Sequence, residues 1–264
     1  MIKYSILASG STGNVIYIGS QEKNILVDAG VSGRRIAELL AEVDVTIEEL
    51  DAIFVTHEHE DHVRGIGVLA RRYNIPIYLN YNTFLSLPSS IGKIDESLIN
   101  IIDTDGERQL GDLKIESFGV SHDASEPVGY IVSSNDYRLS IVTDLGYVSN
   151  KIKNRIKGSH AFIIETNHCI EMLQMGSYPW ELKRRILSDL GHLSNDAAAE
   201  ALAEIVTTDT ELVHLFHRSQ ENNQLDLARI TVIETLERYQ IIHDRLKILD
   251  TYPDQPTSLE IIGI

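Results

Sequence analysis

The chain has 264 residues, 43% of them hydrophobic, enough for one large domain or two small ones with a substantial core. Its formal net charge of −16 argues against a broad basic surface for non-specific nucleic-acid binding, and its single cysteine, Cys169, excludes an internal disulfide framework. No stretch approaches the roughly 18–20 consecutive apolar residues of a spanning helix, and no basic-then-apolar leader opens the chain. The expectation is a protein with no membrane partner that stays in a reducing compartment, the cytoplasm.

In chain order, Ile2–Ala8, Val15–Gly19 and Asn24–Asp28 read as short strands separated by turn signals at Gly10, Gly13 and Gln21-Glu22. Arg34–Val43 has helical spacing, with Ile36, Leu39 and Leu40 on one face. Ile53–Thr56 is the next strand, and Val63–Tyr73 a helix with Val63, Ile66, Leu69 and Ala70 turned inward. Pro76–Asn80, Leu113–Phe118, Val128–Ser133, Leu139–Thr143, Ala161–Glu165 and Leu212–Phe216 continue as strands. Pro179–Leu190, Asn195–Val206 and Leu225–Tyr239 read as helices, with Pro179 suited to a first turn and Ser194 to an N-cap. Asp250–Thr257 is a loop leading to a short strand, Ser258–Ile262. Strands mixed with helices throughout, with no linker, predict one α/β sandwich domain over residues 1–264.

Between the strand Ile53–Thr56 and the helix that follows stands His57-Glu58-His59-Glu60-Asp61-His62. Three imidazoles and a carboxylate in six residues are a ligand set for zinc, manganese or iron. An extended His-x-His pair turns both rings to the same side, and Asp61 and His62 can face a second ion. The imidazoles of His59 and His62 stand three apart rather than four, which excludes the H-E-x-x-H metalloprotease pattern. Further acidic or histidine residues end other apolar strands: Asp28, His122 and Asp144. In layered α/β folds such strand ends can converge on one pocket.

The order Asp28, His57-x-His59-x-Asp61-His62, His122, Asp144 and a late histidine resembles the metallo-β-lactamase-fold hydrolases. That resemblance implies an αββα sandwich with a dinuclear metal site at one edge. His57, His59 and His122 would then hold the first ion, and Asp61, His62 and the late histidine the second. Asp144 would bridge them, and Asp28 would orient a ligand from behind. His192, in Gly191-His192-Leu193-Ser194, is preferred as the late ligand over His217, in Phe216-His217-Arg218-Ser219. His214, His160, His243 and Cys169 are assigned no role in the site. Ser9-Gly10-Ser11-Thr12-Gly13-Asn14, His122-Asp123-Ala124, Glu165-Thr166-Asn167-His168 and Met175-Gly176-Ser177-Tyr178-Pro179-Trp180 are similar to the YycJ/WalJ group. That likeness implies a DNA exonuclease acting from 5′ ends, found beside genes of a two-component system. Arg218 departs from the group's pattern, which has an apolar residue there.

Two ions ~3.5–4 Å apart can share a bridging hydroxide near neutral pH and stabilise the charge of attack, so the site predicts metal-assisted phosphodiester hydrolysis. Asp61 serves as both ligand and catalytic group, and His217 or His168 would protonate the leaving oxygen. Ser9, Ser11 and Asn14 can present a loop to a phosphate or form a tight turn. Tyr178, Arg218 and Ser219 are further substrate candidates, while Trp180 is read as packing at a helix start. Two other functions stay open at this point: an acyl (thioester or lactone) hydrolase on the same ions, and a regulatory partner without turnover.

Overall fold

A computed structural model describes residues 1–263. The chain gathers into two compact units, each described here by itself. The first comprises Met1–Gly119, Ala124–Tyr137 and the C-terminal residues from Thr251; the second comprises Val120–Asp123 and Arg138–Asp250.

The first unit opens with the strands β1 (Ile2–Ala8), β2 (Val15–Gly19) and β3 (Asn24–Val27), then helix α1 (Gly33–Ala41). Strand β4 (Ala52–Phe54), helices α2 (Glu60–Val63) and α3 (Ile66–Tyr73), strand β5 (Ile77–Leu79), helix α4 (Tyr81–Leu85) and strand β6 (Ile99–Ile101) follow. Counting the C-terminal strand Glu260–Ile262 as β14, one sheet runs β14-β1-β2-β3-β4-β5-β6. Its β1–β3 portion is antiparallel and β3–β6 parallel. Every residue of β2 and of β4 is buried, as expected of strands covered on both faces. Ser32 caps α1 by accepting the Arg35 N–H, and Ile36, Leu39 and Leu40 are its buried stripe. The strands β7 (Glu107–Leu110), β8 (Leu113–Gly119) and β9 (Val128–Ser134) form an antiparallel meander.

The second unit is built on β10 (Tyr137–Val142), helix α5 (Asn150–Ile156), β11 (Ala161–Glu165), helices α6 (Ile170–Met175), α7 (Trp180–Ile186) and α8 (Asn195–Ile205), β12 (Leu212–Phe216), α9 (Leu225–Arg238) and β13 (Lys247–Asp250). Strands β10 to β13 are parallel neighbours in that order. Mixed sheets covered by helices are the α/β sandwich that the sequence predicts.

The expected helix Val63–Tyr73 is two pieces. The N–H of Gly65 donates to Ala29 C=O at 2.7 Å, which takes the chain out of helical register between α2 and α3. The helix at Pro179–Leu190 stops at Ile186, and Trp180 does not pack at its start: it is 64% exposed. Among the described residues no helix is long and apolar enough to cross a membrane.

Candidate metal centre and catalytic site

In the first unit the functional residues leave the ends of β3 and β4. These strands are parallel and in register, Val27 beside Phe54, so Asp28 emerges next to Thr56. Asp28 is buried in a left-handed conformation, φ 61°, which short polar side chains tolerate best. Its carboxylate accepts the Thr56 N–H at 2.8 Å, the Thr56 hydroxyl at 2.8 Å and the His62 Nδ1–H at 2.7 Å. Burial pushes the Asp28 carboxyl up, and these donors offset part of the rise. Fixing Nδ1 in this way leaves Nε2 as the nitrogen with which His62 could ligate an ion, the arrangement in which a carboxylate orients a ligand. Asn14 Nδ2 lies 3.0 Å from that Nε2 and 3.4 Å from Asp61 Oδ2.

The turn carrying His57–His62 is pinned by backbone. Asn14 N–H donates to Asp61 C=O at 2.8 Å, and Ala29 N–H to His62 C=O at 2.8 Å. Gly30 fits beneath because it lacks a side chain: a Cβ there would stand 1.7 Å from the Asp61 carbonyl oxygen. Within the turn, His57 Nε2 and His59 Nδ1 are 3.0 Å apart. Two ligands each ~2.0–2.1 Å from one ion stand at a similar separation, so the pair fits a shared metal.

In the second unit the C-terminal ends of the parallel strands do the same work. Val142, Ile164 and Leu215 are in register, and just beyond them come Asp144, Glu165 and His217. Asp144 (φ 53°) and His217 (φ 51°) both take the left-handed conformation, as Asp28 does. For a histidine this is backbone strain of ~1–3 kcal/mol, and such strain gathers at functional sites. Asp144, Glu165, His192 and His217 bring one ligand-type atom each to within 4.8 Å of the others, a set that suits a divalent ion. Asp144 Oδ1 is 3.1 Å from His217 Nδ1, 3.5 Å from His192 Nδ1 and 3.8 Å from His122 Nε2. His122 is fixed through Nδ1, which donates to Gly191 C=O at 3.0 Å, and burial pushes its pKa down towards the neutral, ligating form.

Glu165 carries no role in the sequence reading, yet it organises this cluster. Fully buried, its Oε1 accepts from His192 Nδ1 at 2.7 Å and His217 Nδ1 at 3.0 Å. Its Oε2 accepts the N–H groups of Leu193 at 3.0 Å and Leu145 at 3.2 Å. Burial alone would raise this carboxyl; the two histidines outweigh it and hold it below the usual range. Burial likewise pulls His192 down, while Glu165 and Asp144 raise it by more, so its imidazolium is favoured. Like Asp28, Glu165 stands at the end of an apolar strand, but residue type and position alone do not set it apart.

The substrate candidates separate. Ser9 is buried, its hydroxyl accepting from Thr251 at 2.8 Å, and Ser11 is exposed. Asn14 faces inward to His62 and also accepts the Gly10 N–H at 2.8 Å. Ser219 is buried, its N–H bonded to Asn167 C=O at 2.8 Å and its hydroxyl accepting from Asn222 at 3.1 Å. Tyr178 and Arg218 are half-buried. His168 is buried with neither ring nitrogen hydrogen-bonded among the described residues, and burial pushes it down to about 4. His214 is buried within β12 at about 3, the Cys169 thiol faces Glu171 at 3.1 Å, and His243 donates to Thr207 C=O at 3.2 Å.

The β-lactamase superfamily domain matches residues 23–215, and the chain belongs to that family of metallo-β-lactamase-fold hydrolases. It is 45% identical over 262 residues to exodeoxyribonuclease YycJ of Bacillus anthracis, covering 99% of both chains. The same identity holds over 260 residues with exodeoxyribonuclease WalJ of Streptococcus pneumoniae serotype 2, covering 97% of both. In fold it is similar to the metallo-β-lactamase fold protein YhfI of Bacillus subtilis, with a TM-score of 0.72 at 15% identity over 97% of this chain and 98% of that one.

Proposed function

We propose that the chain is a metal-dependent nuclease, a DNA exonuclease working from 5′ ends in the cytoplasm, and that it holds two divalent ions. The observation that carries this is the cluster of Asp144, Glu165 and His217 at three parallel strand ends with His192 from the loop before α8, in a chain 45% identical to exodeoxyribonucleases over nearly its whole length. In this reading His57, His59 and His122 would hold one ion, Asp61, His62 and a late histidine would hold the other, and Asp144 would serve both. Zinc, manganese and iron all suit these donors. Bound there, such ions supply Lewis acidity at the phosphate and a nucleophile near neutral pH.

The late histidine is assigned to His217 in place of the sequence preference, His192. Support comes from its shorter approach to Asp144, its exposure of only 2% and its strained backbone. His192, with its side chain 20% exposed, is left to protonate the leaving oxygen. Glu165 fixes its Nδ1–H, so Nε2 presents the proton, and the carboxylate stabilises the charged ring until transfer. Asp28 and Asn14 orient His62; Asn14 therefore acts on the metal cluster. The single Cys169 is a free thiol, which fits a reducing compartment.

The test is incubation of the manganese-loaded chain with a DNA duplex labelled at one 5′ end, with Asp61→Ala as control. Release of labelled mononucleotides by the wild type alone is expected. Absence of cleavage on both duplex and single-stranded DNA would overturn the reading.

A further inference from the structure

Helix α7 carries Trp180, the only tryptophan of the chain, and leaves it 64% exposed. Met175 just before it is 87% exposed and Leu187 at its end 40%. Positions 180, 184 and 187 fall at i, i+4 and i+7, so Trp180, Arg184 and Leu187 share one face of the helix. Arg184 is exposed and makes no ion pair or hydrogen bond among the described residues. The row therefore offers an aromatic ring, an uncommitted cation and an apolar edge, on a chain whose net charge is −16.

The row is also held in place. Lys183 is buried, and its ammonium donates to Gln174 C=O at 2.8 Å and Gly176 C=O at 2.7 Å, tying α6 to α7. At the other end the His192 N–H donates to Ile186 C=O at 3.0 Å. Gly191 lies so near that a Cβ there would stand 2.1 Å from the Ile186 oxygen. Arg185 pairs with Asp123, the neighbour of His122. The helix is thus fastened to the backbone of His192. Six residues at 1.5 Å each put Trp180 ~9 Å further along the axis. That is the rise of two to three stacked nucleotides at ~3.4 Å each.

We propose that the Trp180–Arg184–Leu187 face is the platform on which a single nucleic-acid strand lies as it enters the site. A base two to three nucleotides from the scissile phosphate stacks on Trp180, and Arg184 meets the backbone phosphate beside it. Stacking on aromatic rings combined with cations along the backbone is the common mode for single strands, and it tolerates any sequence. The face itself commits the occupant: a single strand offers π faces to Trp180 and phosphates to Arg184, a local attraction that must act against the overall charge of −16. This inference rests on the nuclease reading and names the residues by which the strand is positioned.

The test uses the tryptophan itself, since emission reports one position. Oligothymidylate is titrated into the Asp61→Ala chain, and into wild type in chelator, while Trp180 emission is followed. Saturable quenching is expected. By anisotropy of a labelled oligonucleotide, Trp180→Ala should weaken binding roughly 5- to 150-fold, the range that one stacked base covers. Trp180→Phe should restore most of it, and Arg184→Gln should weaken binding and flatten its salt dependence. In the active chain Trp180→Ala should raise KM on single-stranded DNA more than it lowers kcat. Oligonucleotide bound without quenching, or bound equally by Trp180→Ala, would overturn the proposal. So would self-association in sedimentation that Trp180→Ala alone abolishes, which would make the face an interface between copies. If wild type with manganese cleaves no DNA at all, the nuclease reading fails and the platform with it; cleavage with an unchanged Trp180→Ala sinks the platform alone.

Discussion

At the scale of residues, one carboxylate divides the labour of two histidines. Glu165 accepts from both His192 and His217 at 2.7 and 3.0 Å, but the two rings differ in exposure and in their distance from Asp144. His192→Ala should keep its metal and lose about 10²–10⁴-fold in kcat, the range for a positioned general acid. Asp28→Ala should lower metal affinity about 10- to 100-fold, because His62 then loses the partner that fixes its ring, and equilibrium dialysis reads this directly. The His57–His62 run was legible from residue types and spacing alone. Glu165 was not, because a single glutamate at a strand end looks like any other until the fold turns two histidines onto it. The choice between His192 and His217 was equally hidden: His217 ends an apolar strand and His192 follows a turn, but the left-handed φ of His217 is visible only in the fold.

At the scale of elements, strands β1, β2, β11 and β12 stand at the residues that alternation and β-branched content predict. Boundaries moved where tertiary bonds intervene, as at Gly65, whose N–H is claimed by Ala29. Strands β6, β7 and β13, of four residues or fewer, and helices α4, α5 and α6, of seven or fewer, went unread. The pattern of β7, Glu107-Arg108-Gln109-Leu110, is almost wholly polar, so only pairing with β8 makes it a strand. Ser194 is an N-cap as expected, accepting the Ala197 N–H at 3.1 Å. Ser194→Ala should cost about 1 kcal/mol in urea unfolding. Gly30→Ala belongs to this scale too. With the Asp61 carbonyl 1.7 Å from the added carbon, the turn must shift, and the variant should lose metal binding as well as stability.

For the whole molecule, metal and pH should each move the stability. Ions that bind only the folded chain should stabilise it by about 2.7 kcal/mol at a hundred times Kd. Chelation should therefore lower Tm by roughly 5–10 °C for a chain of this size. His214 gives a separate acid sensitivity. Buried in β12, it is pushed by burial from 6.5 to about 3, so the folded chain keeps it neutral while the unfolded chain protonates it below 6.5. The unfolded state then binds more protons, and stability falls as pH falls from 6.5 towards 3, by about 1.4 kcal/mol per pH unit. Urea midpoints between pH 6.5 and 5 should show this slope, and His214→Gln should flatten it.

The most direct measurement is metal content and single-turnover DNA cleavage on the same samples of wild type, His192→Ala and His217→Ala. Full metal and slow cleavage are expected for His192→Ala, and lost metal with lost cleavage for His217→Ala. The reverse pattern, metal lost from His192→Ala and retained by His217→Ala, would contradict this assignment.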